Sequence, residues 1–184
     1  MKARLLICVS LTQKNRHQIP MFRQLLNSLF LYSNPNRFRL LLLLDQDTVT
    51  PVMRIHEIDS FAYTVALTGI EDQLEFLMSH DRVLTLTPNV LLQDNVVLLM
   101  DLLIKAKTVY TDESGAVSLC EPFKGMFAVR RRDTILLQGM VSQVRTLKDC
   151  FVDHMFLLFH GASEHKKFVQ KYFGRLMMNK CAER

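Results

Sequence analysis

Apolar residues in this chain gather in short blocks, separated by breaks rich in polar residues, proline and asparagine. The densest block is residues 40–44, five leucines that stop at Asp45 and Asp47. An unbroken apolar run of strand length, ended by acids, predicts a strand buried on both faces. Residues 5–11 predict another. Between the two lie a polar loop over residues 12–19 and a helix. Pro20 sits in the first turn of that helix, where its missing N–H costs nothing. Phe22, Leu25, Leu26 and Leu29 then recur at helical spacing, and Ser33-Asn34-Pro35-Asn36 breaks the pattern. The first 48 residues therefore predict a strand–helix–strand unit with parallel strands and a right-handed crossover.

The alternation continues. A short helical patch is expected over 52–58, a strand over 61–67, a helix over 71–79 and a strand over 82–87. Residues 93–107 predict a strongly apolar helix through Val96, Val97, Leu99, Met100, Leu103 and Ile104. Asp94 in its first turn and lysines in its last match the helix dipole. Strands are expected over 109–112, 116–120 and 125–130, and helices over 133–140, 149–159 and 164–178. No internal repeat or low-complexity linker appears. The whole predicts an α/β fold: a single domain with a mostly parallel central sheet flanked by helices on both faces.

At 184 residues, 49% hydrophobic and 22% charged, the chain is of globular composition and suits one sizeable domain. The formal charge of +5 fits a phosphate-bearing ligand, an acidic surface or plain solubility without choosing among them. The longest run of like charge is Arg130-Arg131-Arg132, which does not indicate a nucleic-acid arm. The amino terminus begins like a signal sequence, but its apolar run is short and no small-residue cleavage site follows, so it reads as the first strand. No segment approaches ~20 uninterrupted apolar residues, so a transmembrane helix is not expected. Cys8, Cys120, Cys150 and Cys181 form no CxxC pair; Cys8 reads as a small core residue, and a reducing, cytoplasmic setting is expected.

Candidate chemistry begins at the leucine strand. Open α/β sheets bind ligands beyond the carboxyl ends of their strands, which places Asp45 and Asp47 where a ligand would sit. The plainer reading is that these acids cap the next segment. Lys14, Arg16, Lys124 and Arg130 to Arg132 are candidate phosphate partners, although an ordinary solvated strand end is the better account of two of the three arginines. Asp149 and Asp153, at i and i+4, would share one face of the expected helix. His56-Glu57 lacks the second histidine of HExxH, and no GxGxxG, Walker A or GxSxG pattern occurs.

Several of these pieces resemble, in order, the GT-A glycosyltransferases of the family 2 type: Ser10-Leu11-Thr12 with Asn15-Arg16, the helix reading QLLNSL, the buried strand ending in Asp45, the strand RVLTLTPNV, the stretch GMFAVRR, and Lys148-Asp149 with Asp153 and Gly161 beyond. The resemblance covers roughly residues 5–161. It implies a GT-A-like domain over 1–184, with a nucleotide-binding half over 1–92 and an acceptor half with a carboxyl-terminal helix over 93–184. It implies a glycosyltransferase that takes a UDP- or GDP-sugar and passes the sugar to an acceptor the sequence does not identify. Thr12, Asn15, Arg16, Asp45, Asp47, Thr87, Asn89 and Arg130 would bind the nucleotide sugar, and Asp149 or Asp153 would be the catalytic base. Where the family carries its metal-binding DxD, this chain has Thr87-Pro88-Asn89. Neutral ligands hold a hard cation poorly, so no protein metal site is expected, and Mn²⁺ or Mg²⁺ would bind weakly if at all. The alternative is an inactive GT-A-like domain serving as an assembly module, with homo-oligomers formed through methionine-bearing helices.

Overall fold

The structure, a computed structural model, describes residues 5–67, 70–122, 127–131, 134–138, 143–150, 153–158 and 167. The chain runs β1 (Leu5–Leu11), α1 (Ile19–Tyr32), β2 (Phe38–Leu44), α2 (Gln46–Met53), β3 (Tyr63–Ala66), α3 (Leu74–Met78), β4 (Arg82–Leu86), β5 (Val90–Leu92), β6 (Thr108–Thr111), β7 (Val117–Cys120), β8 (Phe127–Arg131), β9 (Thr134–Gln138), β10 (Gln143–Thr146) and β11 (Phe156–Leu158). Seven strands form the central sheet in the order β10-β6-β7-β4-β1-β2-β3. Within it only β7 runs antiparallel to its neighbours. Two small ribbons stand apart from it, β5 with β11 and β8 with β9, both antiparallel.

The strand period of two divides the core into two layers. Leu40, Leu42 and Leu44 of β2 join Leu5, Ile7, Val9 and Leu11 of β1 on one face, against Phe22, Leu25, Leu26 and Leu29 of α1 and Val52 of α2. Leu41 and Leu43 join Leu6 and Cys8 on the other face, with Leu77 of α3, Val109 and Cys120. The leucine run is thus buried on both sides, as its pattern predicts, and each such side chain contributes ~1.5–3 kcal/mol by leaving water. The fold is an α/β fold with a central mixed sheet and helices on both faces.

Three expected helices are replaced by other structure. Over 93–107 the chain makes a 3₁₀ turn, Val96–Asp101, is extended at Leu102, and turns again before β6, where the Thr108 N–H reaches the Lys105 carbonyl. Buried Val96 and Leu99 stand three apart, the 3₁₀ spacing, while Leu98 and Leu103 are exposed. The chain must cross here from the carboxyl end of β4 to the start of β6 at the opposite sheet edge, and 3₁₀ and extended backbone rise faster than an α-helix. Within 133–140 the chain forms β9, paired with β8 from Phe127↔Gln138 to Arg131↔Thr134. A run of three apolar residues, Ile135 to Leu137, does not distinguish strand from helix, and the available partner strand decides. Within 149–159 there are two separate 3₁₀ turns, Leu147–Cys150 and Asp153–Met155, followed by β11, which covers an edge of β5. The helix expected over 164–178 lies, Lys167 apart, outside the described residues. Among the described residues no helix is long and apolar enough to cross a membrane.

Candidate functional site

Strand direction and register bring distant segments to one edge of the sheet. Leu11 pairs with Leu44, and Val9 with Leu86, so β1, β2 and β4 run out together. Leu86 pairs with Val117 at the start of antiparallel β7, Ser118 with Thr111 at the end of β6, and Thr111 with Thr146 at the end of β10. Thr12, Asp45, Thr87, Asp112 and the turn carrying Lys148 and Asp149 therefore all leave the sheet along its carboxyl edge. Asn89 follows within the β4–β5 turn, which the Val90 N–H closes on the Thr87 carbonyl at 3.2 Å.

On this edge Asp45 joins the loop after β1 to the start of α2. It caps α2, its Oδ1 accepting the Thr48 N–H at 3.1 Å. Its Oδ2 accepts the Gln13 N–H, from the loop after β1, at 2.7 Å. Burial pushes its carboxyl up, but the hydrogen bonds from Gln13, Thr48 and the Asp47 backbone outweigh that and hold it below the ordinary 3.8. The Thr48 hydroxyl is fully buried and reaches the Leu11 carbonyl at 2.7 Å, joining the ends of β1 and β2 a second time. The spacing Asp45-Gln46-Asp47-Thr48 is that of a capping box, a signal legible in the sequence. Its reach to β1 is not.

The other residues on the edge divide by exposure. Asn15 is buried at 2% exposure; its Nδ2 donates to the Ser10 carbonyl at 2.9 Å and its Oδ1 accepts the Thr12 N–H at 2.7 Å, so it braces the loop from within. Lys14 and Arg16, on the 3₁₀ turn Gln13–Gln18, are exposed. Asp47 is exposed in the first turn of α2, where the helix dipole favours an acid. The Thr87 N–H donates to the Ala116 carbonyl at 2.9 Å, and its hydroxyl oxygen is buried without a hydrogen-bond partner among the described residues. Asp149 is exposed in its 3₁₀ turn, and neighbouring Lys148 pairs with Glu113 at 3.5 Å across two exposed side chains, a contact worth little.

Asp153 does not share a helix face with Asp149, because the two residues belong to different 3₁₀ turns. Arg130 lies in the β8–β9 hairpin, opposite Ile135 and outside the seven-stranded sheet. The side chains of Asp153 and Arg130 are outside what the structure describes, as are Lys124 and Arg132. Among the described residues no group of three or more histidines, cysteines, aspartates or glutamates is gathered so as to hold a metal ion.

Two serines, Ser28 and the helix-breaking Ser33, hold the segment that follows Asn89. Ser28 of α1 accepts the Leu92 N–H at 3.1 Å, and Ser33, just past α1, accepts the Val96 N–H at 2.9 Å. Ser28 stands on the buried face of α1, beside the leucine spacing, and that is the only trace it leaves in the sequence.

No family model matches the chain, and no curated protein matches it in sequence. Among solved structures, it is similar to the bifunctional glycosyltransferase WbbM in its apo form, at a TM-score of 0.46 and 10% identity over 61% of this chain. It is also similar to the glycosyltransferase GlyE of Streptococcus pneumoniae TIGR4, at a TM-score of 0.44 and 11% identity over 66% of this chain. The chain spans 23% of the first of those chains and 35% of the second.

Proposed function

We propose that this chain is a GT-A-like glycosyltransferase domain of the family 2 type, which binds a UDP- or GDP-sugar along the carboxyl edge of its sheet. The observation that carries the proposal is the register that brings the ends of β1, β2, β4 and β10 to one edge, as the ligand rule for open α/β sheets requires. In this reading the segments after β1 and β2 hold the nucleoside, and Lys14 and Arg16 meet the diphosphate, since guanidinium and ammonium groups pair with phosphate oxygens. Asp149 receives the acceptor proton, a contribution of ~10²–10⁴-fold for a positioned base. Thr87-Pro88-Asn89 supplies no carboxylate to a metal, so a divalent ion adds little to donor binding.

Calorimetric titration with UDP and with GDP, each with and without Mn²⁺, tests this. Binding of at least one, with affinity changing little on adding Mn²⁺, is the expected result. Absence of binding in every condition removes the enzyme reading.

One observation favours a second reading, an inactive domain kept for assembly: the Asp45 carboxylate already accepts hydrogen bonds on both of its oxygens from the chain itself. Nucleotide-sugar hydrolysis and light scattering separate the two readings. A defined oligomer that hydrolyses no donor supports assembly, and a hydrolysing protein excludes it.

A further inference from the structure

Asp45 lies where a ligand-binding acid is expected, yet its carboxylate reaches in two directions within the protein. One oxygen holds the first residue of the Gln13–Gln18 turn by its N–H, at 2.7 Å across 32 positions of sequence. The other caps α2. Thr48, fixed by that cap, returns its hydroxyl to the Leu11 carbonyl, the last residue of β1 before the turn. Asn15 braces the same turn from inside through Ser10 and Thr12. The turn that presents Lys14 and Arg16 is thereby tied on both sides, and both of those cations stand exposed on it.

We infer that Asp45 is a positioning residue: its carboxylate straps the Lys14–Arg16 turn to the start of α2, so that the turn is set before a nucleoside diphosphate arrives. The inference rests on the function proposed above for its ligand, but the strap itself is a property of the protein alone. Asp45 then acts on binding through the Gln13 backbone rather than by touching the ligand. A turn held in its bound shape loses less conformational freedom on binding, which is how such a strap would raise affinity.

Gln13 offers a clean separation. It is the first residue of its 3₁₀ turn, and Thr12 before it is extended, at φ −125° and ψ 173°. Proline suits the first position of a helical turn and an extended residue ahead of it. Gln13→Pro therefore deletes the N–H and leaves Asp45, its cap on α2 and Thr48 in place. Asp45→Ser does the converse: serine caps a helix about as well as aspartate but is too short to serve both donors.

The two single variants and the double variant are compared by amide hydrogen exchange and by UDP and GDP titration. In Asp45→Ser the Gln13 amide is expected to exchange faster than in the parent. Each single variant is expected to weaken nucleoside diphosphate binding by roughly tenfold, the loss of one charge-assisted hydrogen bond, and the double variant no further than either. Unchanged exchange at Gln13 in Asp45→Ser overturns the inference. So does a loss of affinity in Asp45→Ser that Gln13→Pro does not share, because that is the mark of direct ligand contact. If the parent protein binds neither nucleotide, the proposed function fails, and the exchange result alone then upholds or overturns the strap.

Discussion

Replacing Ser28 by alanine removes a hydroxyl that helix α1 and strand β5 share. Ser28 is 0% exposed; its Oγ donates to the Leu25 carbonyl at 2.8 Å and accepts the Leu92 N–H at 3.1 Å. Leu92 is itself buried, and the neighbouring Gln93 N–H goes to Met155 on the other side of the ribbon. Nothing else described stands ready to accept the Leu92 N–H once the hydroxyl is gone. A buried donor left without a partner costs ~1–3 kcal/mol. Alanine is the better helix former and returns ~0.5 kcal/mol. The balance is a loss of roughly 1.5 kcal/mol, or about 3–6 °C in Tm for a chain of this size. Ser79 supplies the control, since its hydroxyl makes the same kind of bond, to the Phe76 carbonyl at 2.7 Å, but is exposed. Ser79→Ala should stay within ~0.5 kcal/mol of the parent. Urea unfolding measures both variants, and amide exchange at Leu92 reports the orphaned donor directly. A Ser28→Ala protein as stable as the parent, with Leu92 still protected, would refute the view that this hydroxyl docks the ribbon beside the β4–β5 turn.

Two further outcomes follow from buried or bonded titratable groups. Burial, then the neighbouring Cys120, pushes the Cys8 thiol up from its ordinary 9.0, and burial with Glu121 pushes Cys120 up to about 12 despite Arg82. In a Cys150→Ser, Cys181→Ser background, thiol reagents at about pH 8 should label neither cysteine in the native protein and both in denaturant, since the thiolate is the reactive form; native labelling would contradict the burial. Asp45 contributes the opposite kind of pH dependence. Its folded carboxyl lies below the ordinary 3.8, so the stability it adds is full above that value and is lost as pH falls through its lowered folded value. The gap in urea midpoint between the parent and Asp45→Ser should narrow as pH falls below the ordinary 3.8, and a gap that stays constant would show that the carboxylate's charge plays no part.

The first half of the chain is legible from local signals. The five leucines carry their own evidence of burial on both faces, because a run without polar interruption leaves no solvent side. Pro20 and the leucine spacing locate α1, and the capping reading of Asp45 holds, although α2 runs Gln46–Met53, ahead of the helical patch expected over 52–58. These features depend on residues within a few positions of one another, which is what a sequence displays. The second half is harder for the same reason. Residues 90–92, 135–137 and 156–158 are apolar runs too short to declare a conformation, and each became part of a strand because another strand was there to pair with it.

The candidate site depends on tertiary structure in the same way. That an acid follows the leucine strand could be read directly. That Asp149 leaves the sheet on the same edge follows from β10 lying parallel to β6, a pairing 35 positions apart between Gln143 and Thr108. That the Asp45 carboxylate reaches back to Gln13 follows from β1 and β2 ending side by side at Leu11 and Leu44. Hydrophobic period and stop residues state where a strand ends, but only the register between strands decides which ends meet, because that choice is made by backbone hydrogen bonds the side chains do not spell out.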